Sequence, residues 1–176
     1  MTNYRRYRVK GGCYFFTVVL LNRNSVLLTD NIDLLRFAFK YVKNKHPFDI
    51  DALVVLPDHL HCILTLPEND DDFSMRWRLI KATFSRSIAK TETRSQSRVN
   101  KAERGIWQRR FWEHAIRDEK DFQQHVDYIH YNPVKHALVN QVVQWPFSTF
   151  HKYVNEGIYP SDWSSDDKDL LNEVGE

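Results

Sequence analysis

Val54-Val55-Leu56-Pro57-Asp58-His59-Leu60-His61-Cys62-Ile63-Leu64-Thr65-Leu66-Pro67 reads as the end of one strand, a tight turn and a second strand. Pro57 presets a turn dihedral and Asp58 can bond its own backbone, so the connection is a hairpin. Beyond it, successive side chains must point to opposite sides of the strand. Leu60, Cys62, Leu64 and Leu66 then form one face, suited to a core. His59, His61, Ile63 and Thr65 form the other, so two imidazoles stand side by side away from the denser apolar surface. Such a pair has two readings: polar positions of a sheet, or two ligands of a metal that needs a third ligand from elsewhere.

Upstream, Cys13–Leu21 is rich in aromatic and β-branched residues and ends in the turn signals Asn22 to Ser25, which predicts a first strand. Thr29 or Asp30 is the expected cap of a helix carrying Ile32, Leu35, Phe39 and Val42 at helical spacing, ended by Pro47. Phe48–Leu56 is the second strand and Asp58–Leu66 the third. Downstream, Asp70-Asp71-Asp72 complements the dipole at the start of a helix whose buried stripe is Phe73, Trp77, Ile80, Phe84 and Ile88. Residues 91–105 are polar and unpatterned and read as a flexible surface loop. Trp107–Ile116 is the fourth strand, and Asp118 caps a third helix expected to stop at Asn132, before Pro133.

The order β-α-β-β-α-β predicts an α+β, ferredoxin-like fold: a four-stranded antiparallel sheet with two helices on one face and the third helix free to use the other. At 176 residues, 42% hydrophobic and 27% charged, the chain is expected to be one domain over residues 1–160 with an acidic tail at 161–176. Residues 160–176 carry six carboxylates and one lysine, which leaves the first 159 residues at +7 against a total of +2. A basic body implies an anionic partner. Cys13 and Cys62 have no metal or redox spacing and read as reduced thiols of a cytoplasmic protein. Arg5, Arg6, Arg8 and Lys10 before Cys13–Leu21 imitate a secretion signal, but no small-residue cleavage site follows and the run is too short for a membrane span.

On the third helix Phe122, Val126 and Ile129 fall on one side as core anchors, with Tyr131 nearly opposite. His125, Tyr128 and Asn132 share a flanking stripe, since residues three and four apart are neighbours on a helix. A phenol and a carboxamide therefore face the sheet side that holds the histidines. Taken singly, Tyr128 reads as a half-buried aromatic and Asn132 as a helix stop. Taken together with Pro57-Asp58-His59-Leu60-His61-Cys62, the block Asp127-Tyr128-Ile129-His130-Tyr131-Asn132-Pro133-Val134-Lys135 closely resembles the REP-associated tyrosine transposases, single-tyrosine members of the HUH endonucleases. The resemblance runs from Tyr4-Arg5-Arg6-Tyr7 through Trp145-Pro146-Phe147-Ser148 to Tyr159-Pro160-Ser161-Asp162-Trp163; residues 91–105 look like a variable insertion.

That resemblance implies a metal-dependent endonuclease and strand transferase for single-stranded DNA. His59, His61 and Asn132 would hold Mg²⁺ or Mn²⁺, and Tyr128 would attack a phosphodiester, leaving a 5′-phosphotyrosine and a free 3′-hydroxyl. The implied substrates are REP-type hairpins with a 5′ tetranucleotide, the implied setting is the bacterial cytoplasm with no membrane partner, and the enzyme could be a monomer or a homodimer. Expected phosphate contacts are Arg5, Arg6, Arg8 and Lys10, then Arg76, Arg78, Lys81 and Arg86, then Arg109, Arg110 and Lys135. Trp107, Phe111, Trp112, Tyr131, Trp145 and Phe150 are the candidates for stacking unpaired bases, most of them expected in the core. Two rivals remain at this level: a non-catalytic hairpin-binding regulator on the same fold, and a zinc hydrolase, which fits poorly because no Glu adjoins the histidines.

Overall fold

A computed structural model describes residues 6–164. In chain order they form β1 (Cys13–Val19), α1 (Leu27–Asp30), α2 (Ile32–Lys45), β2 (Asp49–Val55), β3 (His59–Thr65), α3 (Phe73–Ser87), α4 (Gln96–Asn100), β4 (Trp112–Ala115), α5 (Glu119–Lys135), a 3-10 turn at Val142–Gln144 and α6 (Phe150–Asn155). Arg5 and the acidic stretch from residue 165 onward lie outside the described residues.

The hairpin closes where expected: the Leu56 N–H donates to the His59 carbonyl at 2.8 Å across Pro57-Asp58. The sheet order is β2-β3-β1-β4, with every pairing antiparallel, which is the ferredoxin-like arrangement. Its two faces bury separate cores. Leu60, Cys62 and Leu64 join Tyr14, Phe16 and Val18 under Phe39 and Val42 of α2 and Phe73, Trp77 and Phe84 of α3. Ile63, Phe15, Ala52 and Val54 meet Val126, Tyr128 and Ile129 of α5 on the opposite side. Burying a large apolar side chain contributes about 1.5–3 kcal/mol, so two covered faces hold β3 from both sides. Every residue of β3 except Thr65 is buried as a result.

The caps at the functional end were legible in the sequence. Asp72 accepts from the Met75 N–H at 3.0 Å, and Asp118 accepts from the Asp121 N–H at 2.9 Å. Four local expectations were not met. Thr29 and Asp30 belong to the short turn α1, and α2 begins after Asn31, whose side chain bonds back to the Leu27 carbonyl and closes that turn. The fourth strand is shorter than expected, because Trp107 makes only an isolated bridge to Leu20 and regular pairing starts at Trp112. Pro133 does not end α5, which runs to Lys135. A proline costs its helix one donor, and in the final turn the Asn132 and Pro133 carbonyls still accept from His136 and Leu138. Residues 91–105 contain α4 and are tied down: Arg98 donates to the Arg104 and Trp107 carbonyls, and Arg104 to the Ile88 and Ala89 carbonyls and to Glu92.

Candidate active site

β3 and β1 build the floor. Thr17 stands opposite His61 in the ladder, and its hydroxyl lies 2.9 Å from His61 Nδ1. His59 sits at the mouth of the hairpin, where its Nδ1 is 2.7 Å from Asp58 Oδ1, while Arg23 holds the other carboxylate oxygen at 2.6 Å. A carboxylate only accepts, so His59 Nδ1 carries the proton and Nε2 presents a lone pair. Burial lowers the pKa of His59 and takes that of His61 well below its ordinary value, with the neighbouring imidazole adding to the effect at His61. Both rings are neutral at pH 7, the form in which imidazole binds a metal.

α5 supplies the roof, and its continuation through Pro133 keeps Asn132 helical, one turn beyond Tyr128 and buried on the same side. The Tyr128 ring lies 5.2 Å from the His61 ring and meets it edge-on at 76°. Phe15 lies beneath both, 5.9 Å from Tyr128 and 5.6 Å from His61. Lys135 donates to the Tyr128 hydroxyl at 3.2 Å and holds its ammonium 4.7 Å from the ring centre. His136 packs 5.1 Å from His59, and a cleft of about 380 Å³ lined by Arg23, Asp58, His59 and His136 borders the His59 end of the group.

Four buried polar atoms here lack a hydrogen-bond partner: His59 Nε2, His61 Nε2, and both Asn132 side-chain atoms. Leaving such an atom unpartnered costs about 1–3 kcal/mol, which a ligand bound to it would offset. Neutral imidazole nitrogens, each ring fixed through its Nδ1, and an amide oxygen are donor types whose chemistry suits a divalent ion. A second cluster makes a useful contrast. His114, Asp121 and His125 offer ligand atoms within 4.8 Å of one another. Those atoms are already satisfied: His114 Nε2 is 2.9 Å from Asp121 Oδ2, Arg117 reaches the same oxygen at 3.1 Å, and His125 Nδ1 is 2.7 Å from the Asp121 carbonyl.

The expected DNA contacts scatter more widely. Arg76 is corrected outright: it is 1% exposed and its guanidinium is spent on the Asp72 and Pro47 carbonyls and Asp70, so it fastens α3 to the end of α2 and is not a phosphate contact. Lys135 stands at the Tyr128 hydroxyl. Arg8 pairs with Asp71 at 3.5 Å, and Lys10 and Arg110 are exposed. Arg6, Lys81, Arg86 and Arg109 gather at one groove beside α3. Of the stacking candidates, Trp107 and Phe150 are core, whereas Trp112 is 37% exposed, 5.7 Å from Phe15 on the sheet face that carries Tyr128. Sequence reasoning missed Thr17, Arg23 and the anchoring role of Asp58; the Pro-Asp-His run was the available signal for Asp58 alone.

The chain compares closely with known proteins. Residues 9–132 match the family model described as "Transposase IS200 like". The REP-associated tyrosine transposase of Escherichia coli K12 is 54% identical over 170 residues, covering 97% of this chain and 95% of that one. A Haemophilus influenzae relative is 50% identical over 165 residues, covering 93% of each chain. A solved structure of a REP-associated tyrosine transposase bound to a REP hairpin shares 55% identity, covers 94% of this chain and 93% of that one, and superposes with a TM-score of 0.83. With the sheet order, the histidine pair and the tyrosine helix in place, these matches assign the chain to the REP-associated tyrosine transposases of the IS200-like transposase family.

Proposed function

We propose that this transposase cleaves and rejoins single-stranded DNA beside REP-type hairpins, with Tyr128 as the nucleophile. The observation that carries the reading is the group of unpartnered buried atoms on His59, His61 and Asn132, set against a buried tyrosine. These three residues would hold Mg²⁺ or Mn²⁺, which when bound polarises the phosphate and orients it. The remaining work belongs to the chain. α5 and Phe15 fix the phenol ring, so that attack requires little further ordering. The tyrosine Oη–phosphorus bond forms as the bond to the 3′-oxygen breaks; the phenol proton leaves and the 3′-oxygen gains one. Lys135 stabilises the phenolate as it develops, through a charge-assisted hydrogen bond. The product is a 5′-phosphotyrosine ester, which conserves the phosphoester and lets a 3′-hydroxyl reverse the attack and join strands.

The substrate end carries an unpaired 5′ tetranucleotide at the hairpin foot, and Trp112 offers an exposed ring for stacking one of its bases. The protein works in the cytoplasm. It acts either as a monomer or as a homodimer, and no helix among the described residues is long and apolar enough to cross a membrane. The test is a labelled single-stranded REP hairpin incubated with Mn²⁺, with Mg²⁺ and with chelator, then run on a denaturing gel. A covalent protein–DNA species is expected with metal, absent with chelator and absent in Tyr128→Phe. No adduct with either metal would leave the non-catalytic hairpin-binding regulator as the better reading.

A further inference from the structure

One face of α5 carries Tyr128, Asn132 and, at the residue that caps its end, His136, each four residues from the last. That face lies along β3 in a fixed order. At one end the Tyr128 ring meets His61, with centres 5.2 Å apart; at the other the His136 ring meets His59 at 5.1 Å. Asn132 lies between these two contacts on the helix, with both side-chain polar atoms buried and without a hydrogen-bond partner. The continuation of α5 through Pro133 is what carries His136 there, since its backbone N–H closes the last turn on the Asn132 carbonyl at 3.0 Å.

His59 thus stands between two imidazoles. Its ring centre is 5.0 Å from that of His61, with 85° between the planes, and 5.1 Å from that of His136, with 72°. With metal–imidazole bonds of about 2.1 Å, each ring centre lies roughly 3.2 Å from the ion, so two adjacent ligands hold their centres about 4.5–5.2 Å apart. Both pairs meet that spacing. Apolar burial contributes little to the placement of His136, because the residue stays exposed and lines the cleft of about 380 Å³ with Arg23, Asp58 and His59. An ion held by two imidazoles and one amide has further positions to fill, and a third imidazole is a donor of the type already present.

We infer that His136 is a further ligand of the divalent ion in the DNA-free protein, joining His59, His61 and Asn132 from the cleft side. The inference rests on the metal reading above and adds a fourth donor to it. The test uses the untagged full-length chain carrying ¹⁵N-labelled histidine, without DNA, and Mn²⁺ as the probe. Pulsed EPR of the bound ion counts histidine nitrogens from their hyperfine couplings. Three are expected in the wild type and two in His136→Gln. Mn²⁺ affinity, titrated through the free-ion EPR signal, should fall at least about tenfold in that variant, the loss that even a partner of a ligand typically causes. His46→Gln removes a histidine from the matching position at the end of α2 and should keep three nitrogens and the wild-type affinity. Two nitrogens in the wild type would overturn the inference and leave the His59–His61 pair standing as ligands; this count decides even if His136→Gln fails to fold. Unchanged affinity in a folded His136→Gln would overturn it as well. A wild-type ion with no histidine nitrogen would overturn both the inference and the metal reading beneath it.

Discussion

Asp58 decides how well His59 can serve. Its carboxylate fixes which nitrogen of the ring holds the proton, and Arg23 fixes the carboxylate. Partners of this kind typically change metal affinity ten- to a hundredfold. Asp58→Asn is therefore expected to raise the Mn²⁺ concentration for half-maximal adduct formation by about that factor; an unchanged midpoint in a metal titration would count against the anchoring role. Lys135 is placed to tune the reactivity of the neighbouring phenol. A free tyrosine is ionised in only about one molecule in a thousand at pH 7, a deficit of roughly 4 kcal/mol. Hydrogen bonds to charged groups contribute about 1.5–3 kcal/mol, so Lys135→Met should slow adduct formation at least about tenfold at pH 7. Lys135→Arg should recover part of the loss, in single-turnover rates measured side by side. Arg76 teaches the reverse lesson. An arginine on a basic helix resembles a phosphate contact until its exposure is known, and this one is buried with both terminal nitrogens engaged.

α5 carries both the proposed nucleophile and the third candidate ligand, so its placement sets the geometry of the candidate site. Its start was legible because capping is local: Asp118 reaches a donor three residues away. Asp118→Ala should lower stability by about 1 kcal/mol, read as a fall in the urea midpoint with an unchanged slope. No change in midpoint would mean that packing against the sheet alone fixes the helix start. Its end was not legible. Proline is compatible with a last turn when the carbonyls around it find acceptable donors, and here those donors lie in His136 and Leu138, beyond the expected stop. The same blindness applied to residues 91–105. Their order comes from arginines that bond to distant carbonyls, a pattern with no periodicity for sequence reading to detect.

For the molecule as a whole, the second core links acid sensitivity to the catalytic helix. His130 lies on α5, fully buried, with its Nε2 3.0 Å from the Thr149 hydroxyl and its ring 4.8 Å from that of Tyr153 on α6. Burial pushes its pKa from 6.5 down to about 3. The unfolded chain then takes up a proton below about pH 6.5 that the folded chain refuses, so stability is complete above that pH and declines as pH falls toward 3. The loss approaches about 1.4 kcal/mol per pH unit within that window. Urea midpoints at pH 7.5 and 5 should differ in the expected direction, and His130→Leu should show a smaller difference than the wild type. Equal differences would place the acid sensitivity elsewhere.

The alternation of residues 54–67, the helical stripes, the Asp caps and the Tyr-x-x-x-Asn-Pro block were enough to derive the sequence of strands and helices along the chain, the fold class and the family. Each depends on backbone periodicity or on neighbours within a turn or two, which the chain carries locally. Only the tertiary structure decided which nitrogen of His61 is free, because its Thr17 partner is 44 residues away in sequence. It also withdrew Arg76 from the surface and gathered scattered arginines into one groove. Those outcomes depend on which side chains packing brings within a few ångströms across the fold, and no local pattern encodes that distance.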